Sequence, residues 1–159
     1  MKIAVANDLD IDTVDWTPAS SETLYRELTP RKLEDIPSLL DELVTELNVH
    51  NFSHRDCLDV RLAMQEAIVN GLRHGNSSDP RKRVTVRYYI TPKMIVAEIE
   101  DEGRGFDPAS IPDPTAPENL EKPSGRGLFL MRHCMSWLRH DGRGNQVTMC
   151  KYRAGESAA

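Results

Sequence analysis

A long amphipathic helix, predicted from Ser53 to about His74, is the feature that most constrains this chain. Ser53 is a good N-cap residue, and Gly75 suits the C-terminal end. At about 100° per residue the helix presents two apolar arcs. Glu66 and Asn70 lie side by side between these arcs, because residues four apart share a helix face. A carboxylate and an amide edged by apolar surface are costly to bury without a partner. The pair is therefore a candidate ligand site, and the alternative is a solvated polar stripe.

Two glycine-containing turns follow this helix in the chain. The first has the pattern D-x-G-x-G, with Asp101, Gly103 and Gly105, and comes directly after a predicted strand. Its glycines allow a ligand to approach the backbone closely. The second places Gly125 and Gly127 at the start of a predicted helix, where free N–H groups and the helix dipole favour phosphate. Each turn alone is a weak signal, because many turns and helix starts contain glycine.

The remaining pattern predicts an α+β fold. Strands are predicted at residues 23–29, 83–91, 94–100 and 146–152, and helices at about 35–48, 53–74 and 127–138. Their order implies a two-layer sandwich, with a mixed and mostly antiparallel sheet and about three helices on one face. Residues 107–124 contain five prolines and no periodicity, so they predict a loop that is either a lid or an inert surface segment.

Length and composition favour a single domain at residues 21–153, with an acidic N-terminal extension at 1–20 and a tail at 154–159. The chain has 159 residues and a net charge of −5, without a basic run, so nucleic acid is not an expected partner. No apolar stretch approaches the roughly 18 residues of a membrane span. The three cysteines are far apart and show no metal-ligand spacing, which predicts reduced thiols in a cytoplasmic protein.

Other nucleotide-binding and hydrolase motifs do not occur in the sequence. There is no GxxxxGK[ST], and no G-x-G-x-x-G follows a strand and opens a helix. His54, Arg55 and Asp56 imitate the catalytic loop of eukaryotic-type protein kinases, but Arg61 stands where that motif requires Asn. No G-x-S-x-G or paired Cys and His indicates a hydrolase nucleophile.

The three motifs, in this order, resemble those of the GHKL superfamily, the gyrase, histidine-kinase and MutL-type ATPases with a Bergerat ATP-binding fold. The E-x-x-x-N pattern of the long helix looks like the N box, and the two glycine turns look like the two glycine boxes. Within the superfamily, residues 66–76 are most similar to anti-sigma-factor serine/threonine kinases. This similarity leads us to expect neither the upstream dimerisation segment with a phosphoacceptor histidine of a sensor histidine kinase nor the transducer domain of a gyrase or MutL protein.

This resemblance implies a site for ATP and Mg²⁺ and suggests a role for each motif residue. Asp101 would bind the adenine amino group, Asn70 would hold Mg²⁺, and Glu66 would be the general base that activates a partner hydroxyl. Gly103 and Gly105 would lie against the base and the sugar. The phosphate tail would lie on Ser124, Gly125, Arg126, Gly127 and Leu128. Charge on the phosphates could be neutralised by Lys122 or Arg126.

The implied activity is phosphorylation of a STAS-type anti-anti-sigma protein, coupled to sequestration of a sigma factor, in a protein expected to form a homodimer. One alternative is an ATP-gated binding module without phosphotransfer, and another is a scaffold with a vestigial pocket. The intact Glu66 favours the kinase. Two features depart from the family pattern: the acidic extension, and Gly71, which costs about 1 kcal/mol relative to Ala inside a helix and so indicates close packing or a bend.

Overall fold

The computed structural model describes residues 22–105, 126–141 and 143–157. Its strands are β1 (Leu24–Leu28), β2 (Thr85–Ile90), β3 (Met94–Glu100), β4 (Trp137–His140) and β5 (Gln146–Tyr152). Its helices are α1 (Ile36–Val49), α2 (His54–Asn70) and α3 (Arg126–Cys134). The strands form one sheet in the order β1-β2-β3-β5-β4, and all four pairings between these described strands are antiparallel. β3 is therefore the central strand, and Asp101 follows its last residue.

The main hydrophobic core lies between the helices and one face of the sheet. Every third or fourth residue of α2 is buried, and Val60, Met64 and Ile68 are fully enclosed. They belong to one cluster that also contains residues of α1, α3 and the sheet, among them Leu43 and Ile95. Burial of such side chains contributes about 1.5–3 kcal/mol each. The predicted two-layer α+β sandwich is confirmed.

The sheet face that points away from the helices, here called the outer face, carries a second apolar cluster. Every member of the cluster is a strand residue. They are Tyr25, Tyr89, Met94, Val96, Trp137, Cys150 and Tyr152. All three cysteines of the chain are buried free thiols, but Cys57 and Cys134 lie in the main core, whereas Cys150 lies in the outer-face cluster.

The prediction that the third helix extends to about Leu138 was wrong. α3 ends at Cys134, and after a bend at Ser136 the chain enters β4. Leu138 pairs with Met149 of β5, and the Ser136 backbone N–H donates to the Cys150 carbonyl at 2.8 Å. The apolar residues of this segment have helical spacing, but pairing with the edge of β5 satisfies the backbone and overrides that local pattern.

The long helix begins as predicted but changes geometry near its end. The Ser53 hydroxyl accepts a hydrogen bond from the Asp56 backbone N–H at 3.0 Å, which caps α2. After Asn70 the chain continues as one π-helical turn, Gly71–Gly75. A Cβ on Gly71 would lie 2.9 Å from Val84 Cγ2, so this glycine permits both close packing and the change of winding.

Some predictions concern residues outside the described ranges. These are the acidic extension at 1–20, the proline-containing loop at 107–124 and two of the second glycine box residues, Ser124 and Gly125. Within the described residues, no helix is long and apolar enough to cross a membrane.

Candidate functional site

A cavity of about 1100 Å³ opens between the second half of α2, the π turn, the end of β3 and the start of α3. The volume lies just above the roughly 300–1,000 Å³ that is usual for small-molecule sites. Eight of the ten residues predicted for the site line it. They are Glu66, Asn70, Asp101, Gly103, Gly105, Arg126, Gly127 and Leu128. The remaining two, Ser124 and Gly125, lie outside the described residues.

Glu66 and Asn70 face the first turn of α3. A Cβ on Gly127 would lie 2.7 Å from Glu66 Oε2 and 3.4 Å from Asn70 Nδ2, so only a glycine lets the two helices approach this closely with Glu66 in place. Both polar side chains are half-buried. Among the described residues neither has a hydrogen-bond partner, and polar groups that are partly withdrawn from water in this way are available to a ligand.

Asp101 forms the opposite wall of the cavity. Its Oδ1 accepts a hydrogen bond from the Gly103 backbone N–H at 2.7 Å. Its backbone is held by Asn145, which accepts from the Asp101 N–H at 2.9 Å and donates its side-chain amide to the Asp101 carbonyl at 2.9 Å. Burial raises the pKa of the Asp101 carboxyl above its usual range, and the Gly103 N–H only partly offsets this. The carboxylate therefore gains from a ligand that donates a hydrogen bond to it.

Asn76 joins the π turn to the Asp101 turn. It is almost fully buried, its amide donates to the Arg83 carbonyl at 2.9 Å, and its carbonyl oxygen accepts from the Glu102 N–H at 2.8 Å. Glu102 in turn accepts from the Arg83 N–H at 2.6 Å. A Cβ on Gly75 would overlap the Asp101 carboxyl. These contacts fix the end of the long helix against the turn, so this wall of the cavity is preorganised.

The charges around the cavity suit an anionic ligand. Arg73, Lys82, Arg104 and Arg126 line it together with His74, whereas Glu66 and Asp101 are the only acidic residues among its described lining. Clustered cations at the mouth of a cleft raise the local concentration of anions. Within the described residues, no three His, Cys, Asp or Glu side chains converge on a metal site.

Sequence reasoning missed Asn145 and His140, which line the cavity from the far side. Asn145 could have been found by continuing the antiparallel pairing of Glu100 with Gln146 by one residue, which brings it opposite Asp101. His140 could not, because the third helix was predicted to run to about Leu138 and no strand was predicted at residues 137–140. Burial, followed by the charge of Arg132, lowers the pKa of His140, which favours the neutral imidazole.

Comparison with known proteins gives the same family as the motifs. A family model described as "Histidine kinase-like ATPase domain" matches residues 29–151. The chain is 29% identical to the serine-protein kinase RsbW of Oceanobacillus iheyensis over 116 residues, which cover 69% of this chain and 73% of the relative. It is 27% identical to RsbW of Bacillus subtilis, over 66% and 70% of the two chains, and 26% identical to RsbW of Bacillus cereus, over 77% and 81%. The predicted resemblance to GHKL-type serine kinases is confirmed, and the chain belongs to the histidine kinase-like ATPase domain family.

Proposed function

We propose that this chain binds ATP with Mg²⁺ and transfers the γ-phosphoryl group to a serine or threonine hydroxyl of a partner protein. The observation that carries the proposal is the convergence of Glu66, Asn70 and Asp101 on one cavity, with Gly127 in contact range of the first two. The relatives named serine-protein kinase support the same reaction class.

The base of the nucleotide would lie at the Asp101 end of the cavity. The half-buried carboxylate there has a raised pKa and accepts only one hydrogen bond from the described residues, so an exocyclic amino group would stabilise it. A Cβ on Gly103 would overlap the Gly75 carbonyl and one on Gly105 the Arg143 carbonyl, so glycine at both positions lets this turn pack closely, and the base and sugar would lie against its backbone. Selectivity for adenine over bases without an exocyclic amino group would follow from the hydrogen bond that Asp101 would accept.

The triphosphate would extend from there towards Asn70 and the start of α3. Backbone N–H groups in the first turn of α3, next to Gly127, and the guanidinium of Arg126 would hold it. Asn70 offers an oxygen of the kind that Mg²⁺ prefers, and Mg²⁺ usually keeps water and phosphate ligands besides one or two protein oxygens. When bound, the ion would neutralise charge on the phosphates during transfer.

Glu66 would act as the general base. Its carboxylate is half-buried, lines the cavity next to Asn70, and has no hydrogen-bond partner among the described residues, so it is free to accept the proton of an incoming hydroxyl. Its position one helical turn before Asn70 places the proton acceptor beside the proposed metal ligand, where a hydroxyl would attack the terminal phosphate.

The test uses Glu66→Gln, which keeps the shape of the side chain and removes its basicity. Transfer of label from radiolabelled ATP to STAS-type proteins of the same genome is measured together with nucleotide binding by calorimetry. We expect phosphotransfer to fall by roughly 100-fold or more, with nucleotide affinity little changed. Glu42→Gln, an exposed α1 residue, is the matched control and should behave as the wild type. An unchanged transfer rate in Glu66→Gln would remove this residue as the base.

The partners belong to the proposal as well: a STAS-type anti-anti-sigma protein as the phosphoacceptor and a sigma factor as the sequestered protein. A homodimer stays a prediction. The alternative of an ATP-gated binding module would be supported by nucleotide-dependent partner binding without label on any partner. The vestigial scaffold would be supported if Mg-ATP produced neither binding heat nor a shift in the unfolding temperature.

A further inference from the structure

The outward faces of α2 and α3 form one continuous surface beside the cavity. α3 runs next to α2 in the opposite direction. At one end, a Cβ on Gly127 would contact Glu66 Oε2. At the other end, the Lys151 ammonium donates to Asp59 at 2.9 Å and to the Cys134 carbonyl at 2.8 Å, which ties the two helices together. Glu66 therefore lies where this surface meets the cavity.

Large apolar side chains are concentrated on this surface. Leu58 is 50% exposed and Leu62 is 38% exposed, and they lie one turn apart on the same face of α2. Phe129 of α3 is 43% exposed and stacks on His133, with ring centroids 6.2 Å apart. These are three of the five large apolar side chains that are exposed among the described residues. Exposed apolar side chains that cluster within a polar rim are typical of protein–protein contacts.

The charged residues exposed on the same elements are all basic, although the chain has a net charge of −5. Among the Asp, Glu, Lys and Arg residues of α2, the π turn and α3, those that are exposed are Arg55, Arg73, Arg126 and Arg132. The exposed ones of α1 are Asp41 and Glu42. Positive charge around an apolar patch favours a partner with negative charge at the matching positions. We use the name α2–α3 surface for Arg55, Leu58, Leu62, Phe129 and Arg132.

The position of Glu66 indicates which partner fits this surface. Leu62 lies about 6 Å and Leu58 about 12 Å along α2 from Glu66, because each residue of a helix adds about 1.5 Å. A protein that brings a hydroxyl to Glu66 therefore comes within contact range of both leucines. A second copy of this chain fits the surface less well, because a two-fold contact would bring its arginines together.

We propose that the α2–α3 surface binds the phosphoacceptor protein, through an acidic patch that surrounds an apolar side chain about 6–12 Å from the acceptor hydroxyl. This inference rests on the proposed function, because it assigns the docking surface of the same reaction. The apolar side chain of the partner would pack on Leu58 and Leu62, with Phe129 at the α3 border of the contact. Its carboxylates would pair with Arg55 and Arg132. A protein without such a patch would be a poor acceptor even if it carried an accessible serine.

The apolar part of the surface is tested with Leu58→Gln combined with Leu62→Gln. The matched control combines Leu33→Gln with Val49→Gln, which replaces two exposed apolar side chains near the ends of α1. Phosphotransfer is measured over a range of concentrations of the STAS-type proteins of the same genome, and calorimetry of nucleotide binding checks that each variant is folded. We expect the KM for the acceptor protein to rise roughly tenfold or more in the surface variant, with kcat and nucleotide affinity within about twofold of the wild type, because only acceptor binding is lost. The control should match the wild type.

The charged part is tested with Arg55→Gln combined with Arg132→Gln. The control, Arg31→Gln combined with Lys93→Gln, removes the same charge at other exposed positions. We expect the KM for the acceptor protein to rise roughly fivefold at low ionic strength in the surface variant, and this difference should shrink as salt is added, because salt screens exposed charges. A structural defect would lower nucleotide affinity as well and would not be relieved by salt.

Direct binding separates this inference from the proposed function. The same STAS-type proteins are titrated by calorimetry into the protein loaded with Mg²⁺ and a non-hydrolysable ATP analogue. Binding that both surface variants weaken, without label in the transfer assay, would support the docking surface and contradict the kinase. Label transfer with an unchanged KM in either surface variant, or an equal rise in the controls, would contradict the docking surface and leave the kinase standing. The inference also fails if none of these proteins binds, or if the variants weaken only the binding of a sigma factor or of a second copy.

Discussion

The Asp101 carboxyl is held half-buried, close to Gly75 and Gly103, with a pKa that burial raises. A raised pKa in the folded state means that the folded protein binds the proton more tightly, so the carboxyl's favourable contribution to stability is present at low pH and lost as the pH rises through the folded-state pKa. The nucleotide-free protein therefore keeps a charged group at a cost at neutral pH. On the proposed assignment, a nucleotide that donates a hydrogen bond to this carboxylate would offset the cost.

We expect Asp101→Asn to raise the unfolding temperature of the nucleotide-free protein at pH 7 and to lower nucleotide affinity roughly 10- to 100-fold, the usual value of a hydrogen bond to a charged group. The stability difference should shrink as the pH falls, because the wild-type carboxyl then takes up its proton. Asp79→Asn is a control in which the change in stability should have the opposite sign. The hydrogen bond from Arg81 lowers the pKa of Asp79 to about 2, so loss of this carboxylate should reduce stability at pH 7. Thermal unfolding across pH, with and without ATP, measures all three proteins.

Gly103 and Gly127 differ in what an added Cβ would contact: at Gly103 it would meet backbone, and at Gly127 it would meet the proposed catalytic side chain. A Cβ on Gly103 would overlap the Gly75 carbonyl, which is backbone, so Gly103→Ala should destabilise the fold by about 1–3 kcal/mol. A Cβ on Gly127 meets only the end of the Glu66 side chain, which can rotate away. Gly127→Ala should therefore leave stability within about 1 kcal/mol of the wild type but reduce phosphotransfer at least tenfold, because the proposed base is displaced. Urea unfolding and transfer assays on both variants check this, and equal losses of stability would contradict it.

At the scale of elements, the hydrogen bonds of the Asn76 side chain hold the end of the π turn against the loop after β3. Asn76→Ala would leave the Arg83 carbonyl and the Glu102 N–H without their partner in a buried place. We expect a loss of about 2–4 kcal/mol in the free energy of unfolding, measured in urea. Gln65→Ala, on the exposed side of α2, should change it by no more than about 0.5 kcal/mol. A loss of the same size in both variants would argue against the proposed bracing.

The elements that sequence predicted well are those in which local pattern and tertiary packing agree. β3 and β5 were predicted with their correct limits, since their apolar residues form runs bounded by turns. β4 was missed because Met131, Cys134, Met135 and Leu138 have the spacing of a helix, and only the neighbouring edge of β5 makes a strand better there. The π turn was missed for a similar reason. A glycine inside a helix, here Gly71, indicates a change in helix geometry, but whether it is a kink or a π turn depends on packing against Val84 and Asp101.

At the scale of the whole molecule, ligand binding should stabilise the folded chain by mass action. With Mg-ATP at 100 times its dissociation constant, the gain is about 2.7 kcal/mol, which for a chain of this length raises the unfolding temperature by roughly 5–10 °C. Differential scanning fluorimetry measures the shift. In Asn70→Ala the part of the shift that depends on Mg²⁺ should disappear, and a full Mg²⁺-dependent shift in that variant would contradict Asn70 as the metal ligand.

The motifs predicted most of the candidate site because each lies at the end of an element that the fold must bring together. Glu66 and Asn70 are one turn apart on α2, and Asp101 directly follows the central strand, so packing α2 on the sheet suffices to place them in one cavity. Asn145 and His140 come from strands whose contribution depends on the order β3-β5-β4, and that order cannot be read from spacing along the chain.

The bracing by Asn76 has a consequence for turnover. On the proposed assignment, the preorganised Asp101 wall recognises the base, which ATP and ADP share. Little further ordering of this part of the chain is then needed when either nucleotide binds. Spent nucleotide should therefore leave slowly, and product inhibition should be strong. The protein would then respond to the ratio of ATP to ADP around it rather than to the amount of ATP alone.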